Sequence, residues 1–255
     1  RQKVSRLLIS ARERGITRTI IVDPSSQDLD TISSLIERFK LHAVELIPGD
    51  QLDETRLRTA IALAATNCLQ RAFKDGQIIG IGWGHSVFET VSLLSKGSQR
   101  RIHIVPLIGG IGDLSPYFQV NELASKLAGA FGGSFRPLYA PAFFDKVEVR
   151  NTFLKTLEMV QISELWGRLN VAVVGIGQVG FLRNSSTDYL DRMPARSLAI
   201  LDQRRAVGDI CSRFFDIHGN QIHPDISVIG IDLDQLKNIP EIIAIAGGVE
   251  KVNAI

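Results

Sequence analysis

Two cysteines, two methionines, two tryptophans and three tyrosines are all that 255 residues hold of those types. Long apolar runs are absent too. The hydrophobic stretches are broken by glycine or charge, as in QIIGIGWGHSVFE and IIAIAGGVEK, so none reaches the ~20 residues a membrane-spanning helix needs. The first residues, RQKVSRLLISARERG, are too basic and lack the apolar block of a secretory signal. A cytoplasmic location is therefore expected. Cys68 and Cys211 each stand in an apolar, periodic setting, which favours two reduced core thiols over a disulfide or metal pair. Among five histidines, His218 and His223 flank a turn beside Asp216, and His42 and His103 read as strand-edge residues. A solvated turn explains the first group better than coordination, so no metal is expected.

What is present is enough apolar residue, 45%, to build one large α/β domain or two small ones. The net charge of +2 is unevenly spread. Residues 1 to 18 carry Arg1, Lys3, Arg6, Arg12, Arg14 and Arg18 against Glu13 alone, a surplus of five, which leaves about −3 for the rest. A basic helix on a mildly acidic body points to a polyanion contact at one end. Val4, Leu7, Leu8 and Ala11 fall at helical spacing, and Gly15 ends that helix.

A strand TRTIIVD and a turn at Pro24-Ser25-Ser26 come next, followed by a helix with Leu29, Ile32, Ile36 and Phe39 on one face. A strand-like AVELI and a long helix near 54 to 74 are then expected. From there the grammar repeats: apolar strand, glycine turn, helix. IIGIG leads to Gly82-Trp83-Gly84-His85-Ser86, RIHIVPLI to Gly109-Gly110-Ile111-Gly112, NVAVV to Gly175-Ile176-Gly177, and EIIAIA to Gly247-Gly248 and a helix containing Lys251. Such alternation predicts a doubly wound, mostly parallel sheet covered on both faces. Residues 209 to 230 read as a small hairpin-rich insert turning at Gly219-Asn220.

Open parallel sheets bind ligands at the carboxyl ends of their strands, and here four strand ends carry glycine turns. Glycine lets backbone amides approach a ligand, and a following helix N-terminus favours an anion. A phosphate or polyhydroxyl compound fits, with Ser86 and His85 as hydrogen-bonding groups and Lys251 as a point charge. The plainer alternative is that each glycine pair only makes a tight connection.

Gly175, Gly177 and Gly180 also match a dinucleotide fingerprint, with Asp202 ending a later strand-like SLAILD. A dehydrogenase is thus a rival. The polar, proline-terminated FLRNSSTDYLDRMP after Gly180 does not suit its packing helix. No cofactor is expected, and no catalytic residue is assigned. A sugar-phosphate isomerase is a second rival, with Asp209 and Lys251 as acid/base candidates, although the basic first helix has no place in it.

Taken together, RQKVSRLLISARERGI, GIGWGHS, PLIGGIG, QVNELA, VVGIGQVG, GDICSRFFDIHG and IAGGVEKVNAI resemble the SorC-type family of sorbitol and sorbose operon regulators, over nearly the whole chain. The resemblance implies a helix-turn-helix domain followed by an effector domain like the sugar-phosphate isomerases and CoA transferases. It implies a homo-oligomer, usually a tetramer, whose affinity for operator DNA changes when a sugar or sugar phosphate binds. The division expected is a recognition-helix remnant at 1–16 and an effector and oligomerisation domain at 17–255.

By position, the family's phosphate loop falls on Gly84, His85 and Ser86, and its second glycine loop on Gly109 and Gly110. Its polar ligands fall on Gln119 and Asn121, its GDI acid on Asp209 and its late base on Lys251. Gly175 and Gly177 join this set as a sugar-loop turn. Arg1, Gln2, Lys3 and Arg6 are the expected DNA contacts. Some relatives have two threonines at His85 and Ser86 and an arginine at Ile108, which weakens the case for a doubly phosphorylated effector. The chain also begins inside what resembles the recognition helix and stops short of the family's final helix and strand, as a fragment would.

Overall fold

The structure, a computed structural model, describes residues 29–49, 52–95, 99–111, 117, 119–179, 190 and 193–255. It divides into two compact units, Arg1–Asp53 and Glu54–Ile255. The expected recognition helix, with Arg1, Gln2, Lys3 and Arg6, the strand TRTIIVD and the Pro24 turn lie outside the described residues.

In the first unit, α1 (Leu29–Phe39) is the amphipathic helix its spacing calls for. Its stripe is covered in part: Ile32 and Ile36 are half-buried, whereas Leu29 and Phe39 at its ends are exposed. The AVELI segment is not a strand but irregular chain running to Gly49, and His42 sits in the bend after α1. Apolar alternation alone does not make a strand; a neighbour must supply the ladder, and no described strand pairs here.

The second unit opens with α2 (Glu54–Ala72), whose Ala62, Ala65, Thr66 and Leu69 are buried. Two βα steps and a third strand follow: β1 (Ile78–Ile81), α3 (His85–Leu93), β2 (His103–Pro106), α4 (Val120–Phe131) and β3 (Ser134–Phe135). Then come β4 (Phe143–Phe144), α5 (Val147–Phe153), α6 (Leu157–Trp166) and β5 (Val171–Gly175). The remainder is β6 (Gly177–Gln178), α7 (Ala195–Gln203), β7 (Gly208–Ile210), β8 (Arg213–Phe215), β9 (Gln221–Ile222), β10 (Ser227–Val228), α8 (Leu233–Lys237) and β11 (Glu241–Ile245). A single 3₁₀ turn, Val249–Lys251, stands near the end where a helix was expected.

The main sheet has the order β11-β5-β1-β2-β3, and all its pairings are parallel. Ile79, Ile81, Ile104, Val105, Val171, Ala172 and Val173 are fully buried in it. Each such side chain contributes roughly 1.5–3 kcal/mol over its exposed state, which is why these strands read as continuous apolar runs. The chain steps from β1 outward to β2 and β3, then returns past β1 to lay down β5 and β11. With right-handed crossovers, that reversal puts α3 and α4 on one face and α6 on the other. Trp166 caps this second face, its indole N–H donating to the Pro106 carbonyl at 2.9 Å.

Two smaller antiparallel sheets cover the strand ends. β10 pairs with β4, and β6, β7, β8 and β9 form a four-stranded meander. The meander contains the expected hairpins. Its turn at Asp216 is closed by that carboxylate, which accepts from the His218 and Asn220 amides. SLAILD, in contrast, lies inside α7: Ser197 and Leu201, one turn apart, are its buried residues. Asp202 is therefore helical and ends no strand.

Candidate functional site

In a doubly wound sheet the crevice opens where the strand order reverses, outside the carboxyl ends of the two strands that flank the reversal. Here those strands are β1 and β5. Gly82 and Gly84 follow β1, and Gly175 and Gly177 bracket the end of β5.

At β1, the Gly82 amide continues the ladder by donating to the Val173 carbonyl at 2.9 Å. Gly84 is the N-cap of α3 at φ 120, ψ 165, a region only glycine enters without strain. It has no side-chain cap, and a β-carbon built on it would meet nothing within 4 Å. The first turn of α3, carrying His85 and Ser86, thus starts at open space beside Gly84, at the positive end of a helix. The His85 ring stacks on Tyr117 at 3.8 Å between centroids, and Tyr117 sets its edge on Phe88 at 4.9 Å. The Tyr117 carbonyl also accepts the Gly84 amide, at 3.0 Å.

At β5, Gly175 approaches Trp83: an added β-carbon would sit 3.3 Å from its carbonyl oxygen. The chain does not turn into a helix here. Gly177 enters β6, which pairs antiparallel with β7 and places Gly177 opposite Asp209. An added β-carbon on Gly177 would overlap Asp209 Oδ1. Asp209 is buried, at 4% exposure, and its Oδ2 accepts the Ser212 amide at 3.0 Å.

Lys251 lies near this carboxylate. Burial lowers its ammonium pKa from the ordinary lysine value; Glu250 and Asp209 pull it back up, and Arg58 of α2 pushes it down. Gly248, at φ 112, precedes the turn that carries it. Gly175 thus lies against Trp83 and Val87, Gly177 against Asp209, and the Lys251 ammonium feels the Asp209 charge, around the reversal point where Gly84 opens α3.

The second glycine loop behaves differently. The Gly109 amide donates to the Ile229 carbonyl at 2.9 Å and the Gly110 amide to the Ala140 carbonyl at 2.8 Å. Their donors are spent inside the fold, fastening β2 to the segments around β4 and β10. Asn121 is similarly committed: its Nδ2 donates to the Leu138 carbonyl at 3.1 Å and its Oδ1 accepts the Leu138 amide at 2.9 Å. Gln119 is the N-cap of α4, and its Nε2 donates to the Ile111 carbonyl at 3.2 Å.

Sequence reasoning passed over Tyr117, Ser212 and Arg58, and read Cys211 as a core thiol alone, which it is. Cys211 and Ser212 form the two-residue turn between β7 and β8, at φ 50 and 56. Turns of that backbone usually announce themselves with glycine or asparagine, and GDICSRFF has neither at that point. Cys211 Sγ packs 3.0 Å from where a β-carbon would stand on Gly82, and burial, then Asp209, pushes its thiol up to about 12. The dinucleotide reading fails on geometry: the fingerprint needs a helix opening after the strand, whereas Gly177 opens a strand, and Asp202 is helical. Gly180 lies outside the described residues.

The Sugar-bind family of sugar-binding domains matches residues 23–255. This chain belongs to that family. The sorbitol operon regulator of Klebsiella pneumoniae is 30% identical over 259 residues, spanning 100% of this chain and 82% of the regulator. The deoxyribonucleoside regulator of Bacillus subtilis is 29% identical, over 100% of this chain and 81% of its own length. The crystal structure of the full-length K. pneumoniae sorbitol operon regulator SorC superposes with a TM-score of 0.84, covering 98% of this chain and 80% of that one. The SorC-type resemblance and the parallel α/β architecture are therefore correct, and the relatives are named as transcriptional regulators. Among the described residues, no helix is long and apolar enough to cross a membrane.

Proposed function

We propose that this chain is the effector-binding part of a cytoplasmic, DNA-binding regulator of carbohydrate metabolism, and that it holds a sugar or sugar phosphate at the crevice between β1 and β5. The observation that carries the reading is the glycine N-cap of α3, open around Gly84 where β1 ends, with Gly177 and Asp209 fitted together beyond the end of the neighbouring strand β5. An anion suits the first turn of α3 and the Lys251 ammonium, while sugar hydroxyls suit the Asp209 carboxylate.

In this reading Gly84, His85, Ser86, Gly175, Gly177, Asp209 and Lys251 meet the effector, with Gln119 at the rim. Gly109, Gly110 and Asn121 shape the crevice instead of touching the ligand, because their donors are already engaged. The protein has no catalytic task. It works as a homo-oligomer, a reading supported by the exposed Leu29 and Phe39 at the ends of α1 and the exposed Tyr139 and Leu157. Arg1, Gln2, Lys3 and Arg6 face operator DNA, an assignment supported by the charge of Arg1, Lys3 and Arg6 and by the family's organisation.

The test is a thermal-shift screen of the protein against neutral sugars and sugar monophosphates. A saturating effector at about a hundred times its Kd stabilises by roughly 2.7 kcal/mol. The same compound must change operator affinity in a DNA-binding assay; stabilisation by none of them ends the proposal.

A further inference from the structure

The turn joining β7 to β8 brings one more group to this crevice. Ser212 is 2% exposed, and its amide is fixed on Asp209 Oδ2. Its hydroxyl oxygen is shut away from solvent and meets no hydrogen-bond partner. A buried hydroxyl left unpaired is a net cost to a fold. The backbone adds a second cost, because φ 56 suits glycine better than a residue with a β-carbon. Neither the turn nor the packing therefore requires serine here. Its neighbours define what it can do: Cys211 touches Gly82 at the end of β1, and Asp209 touches Gly177 at the end of β5. Ser212 follows Cys211 in the chain and is tied by its amide to Asp209, so it belongs to the turn that meets both strand ends.

We propose that Ser212 Oγ is a specificity-determining contact that reads a hydroxyl of the bound sugar. The inference rests on the reading given under Proposed function. The adjacent Asp209 carboxylate decides the ligand group. A phosphate oxygen would be repelled there, whereas a sugar hydroxyl both donates and accepts. It donates to the carboxylate and accepts from the serine hydroxyl. A rotation about χ1 redirects Oγ without moving the backbone. The anion contacts at α3 and Lys251 then fix the phosphate end of the effector, and the Asp209–Ser212 pair fixes its polyol end.

The experiment uses wild-type protein, Ser212→Ala and Ser212→Gly. Each is titrated with D-sorbitol 6-phosphate, D-fructose 6-phosphate and 2-deoxy-D-ribose 5-phosphate, with inorganic phosphate as competitor. Both variants are expected to bind the sugar phosphates about tenfold more weakly while the inhibition constant of inorganic phosphate stays put. The unliganded melting temperature should hold or rise in Ser212→Ala, which removes the unpaired hydroxyl, and rise in Ser212→Gly, since glycine also relieves the positive φ. A purely structural serine would lower unliganded stability and leave affinity alone, and that result overturns the proposal, as does an equal loss for inorganic phosphate. Wild-type protein that binds neither these probes nor any compound of the thermal-shift screen refutes the parent reading, a failure visible before any variant is made.

Discussion

Asp209 Oδ1 occupies the place where a β-carbon of residue 177 would stand, so the carboxylate and Gly177 are fitted to each other across the β6–β7 pair. Only glycine at 177 lets Asp209 keep both its position and its bond to the Ser212 amide.

Gly177→Ala should accordingly cost about 1–3 kcal/mol by overpacking and displace Asp209 along with it. Gly110→Ala is the control, since an added β-carbon there meets nothing within 4 Å. It should stay within about 0.5 kcal/mol of wild type. Urea denaturation of both variants checks the contrast; equal losses would show that the Gly177–Asp209 fit does not matter.

Asn121→Ala should destabilise by roughly 1–3 kcal/mol, because it leaves the Leu138 amide and carbonyl without their partners. The affinity for sugar phosphates should change far less than for a variant of Lys251. Calorimetry on both variants decides the matter, and a large affinity loss with intact stability would return Asn121 to the ligand shell.

Lys251 gives a prediction in pH. Its pKa is lowered in the folded chain, chiefly by burial, so below the folded value the protein carries a buried charge at a cost. Stability therefore rises with pH between that lowered value and the ordinary lysine value, where the unfolded chain binds the extra proton. Anion affinity runs the other way, falling as the ammonium deprotonates. Phosphate binding should weaken before the ordinary lysine range is reached, and Lys251→Met should abolish that alkaline limb and cost about 1.5–3 kcal/mol of binding. A titration curve of unchanged shape in the variant would remove Lys251 from the site.

His103 reports on the other flank. Its Nδ1 and Ser134 Oγ lie 2.9 Å apart across the β2–β3 pairing, and burial, then Arg136, lowers its pKa. A depressed histidine supplies stability that is fully present above its unfolded value of about 6.5 and is lost as the pH falls toward the folded one. His103→Gln should flatten that acid limb in melting curves recorded from pH 7 to 5. An identical limb in the variant would place the acid sensitivity elsewhere.

Much of this was legible in the sequence. Apolar runs with β-branched residues, IIGI, HIVP and VAVV, became the inner strands of the parallel sheet because burial on both faces leaves no polar alternation to read, and EIIAI joined them as an edge strand whose Ile242 and Ala244 stay exposed. The glycine turns were equally visible, but their use was not. Whether the Gly109 amide meets a ligand or the Ile229 carbonyl depends on where residue 229 folds back, 120 positions later. SLAILD misled for a related reason: its period fits helix and strand alike over six residues, and only packing of Ser197 and Leu201 selects the helix. The turn at Cys211 and Ser212 left no mark because it holds a glycine-like backbone without glycine.

The crevice draws on segments near residues 84, 175, 209 and 251, and its last contributor follows β11, the outermost strand on its side of the sheet. A ligand bridging these segments acts as a reversible staple between distant stretches of chain. Pairings of such long sequence separation form late and slowly, so the final strand must dock before the pocket exists. Effector concentration then governs how long the folded chain persists as well as what it signals, and a saturating sugar should protect the C-terminal segment from proteases before any change at DNA is measured.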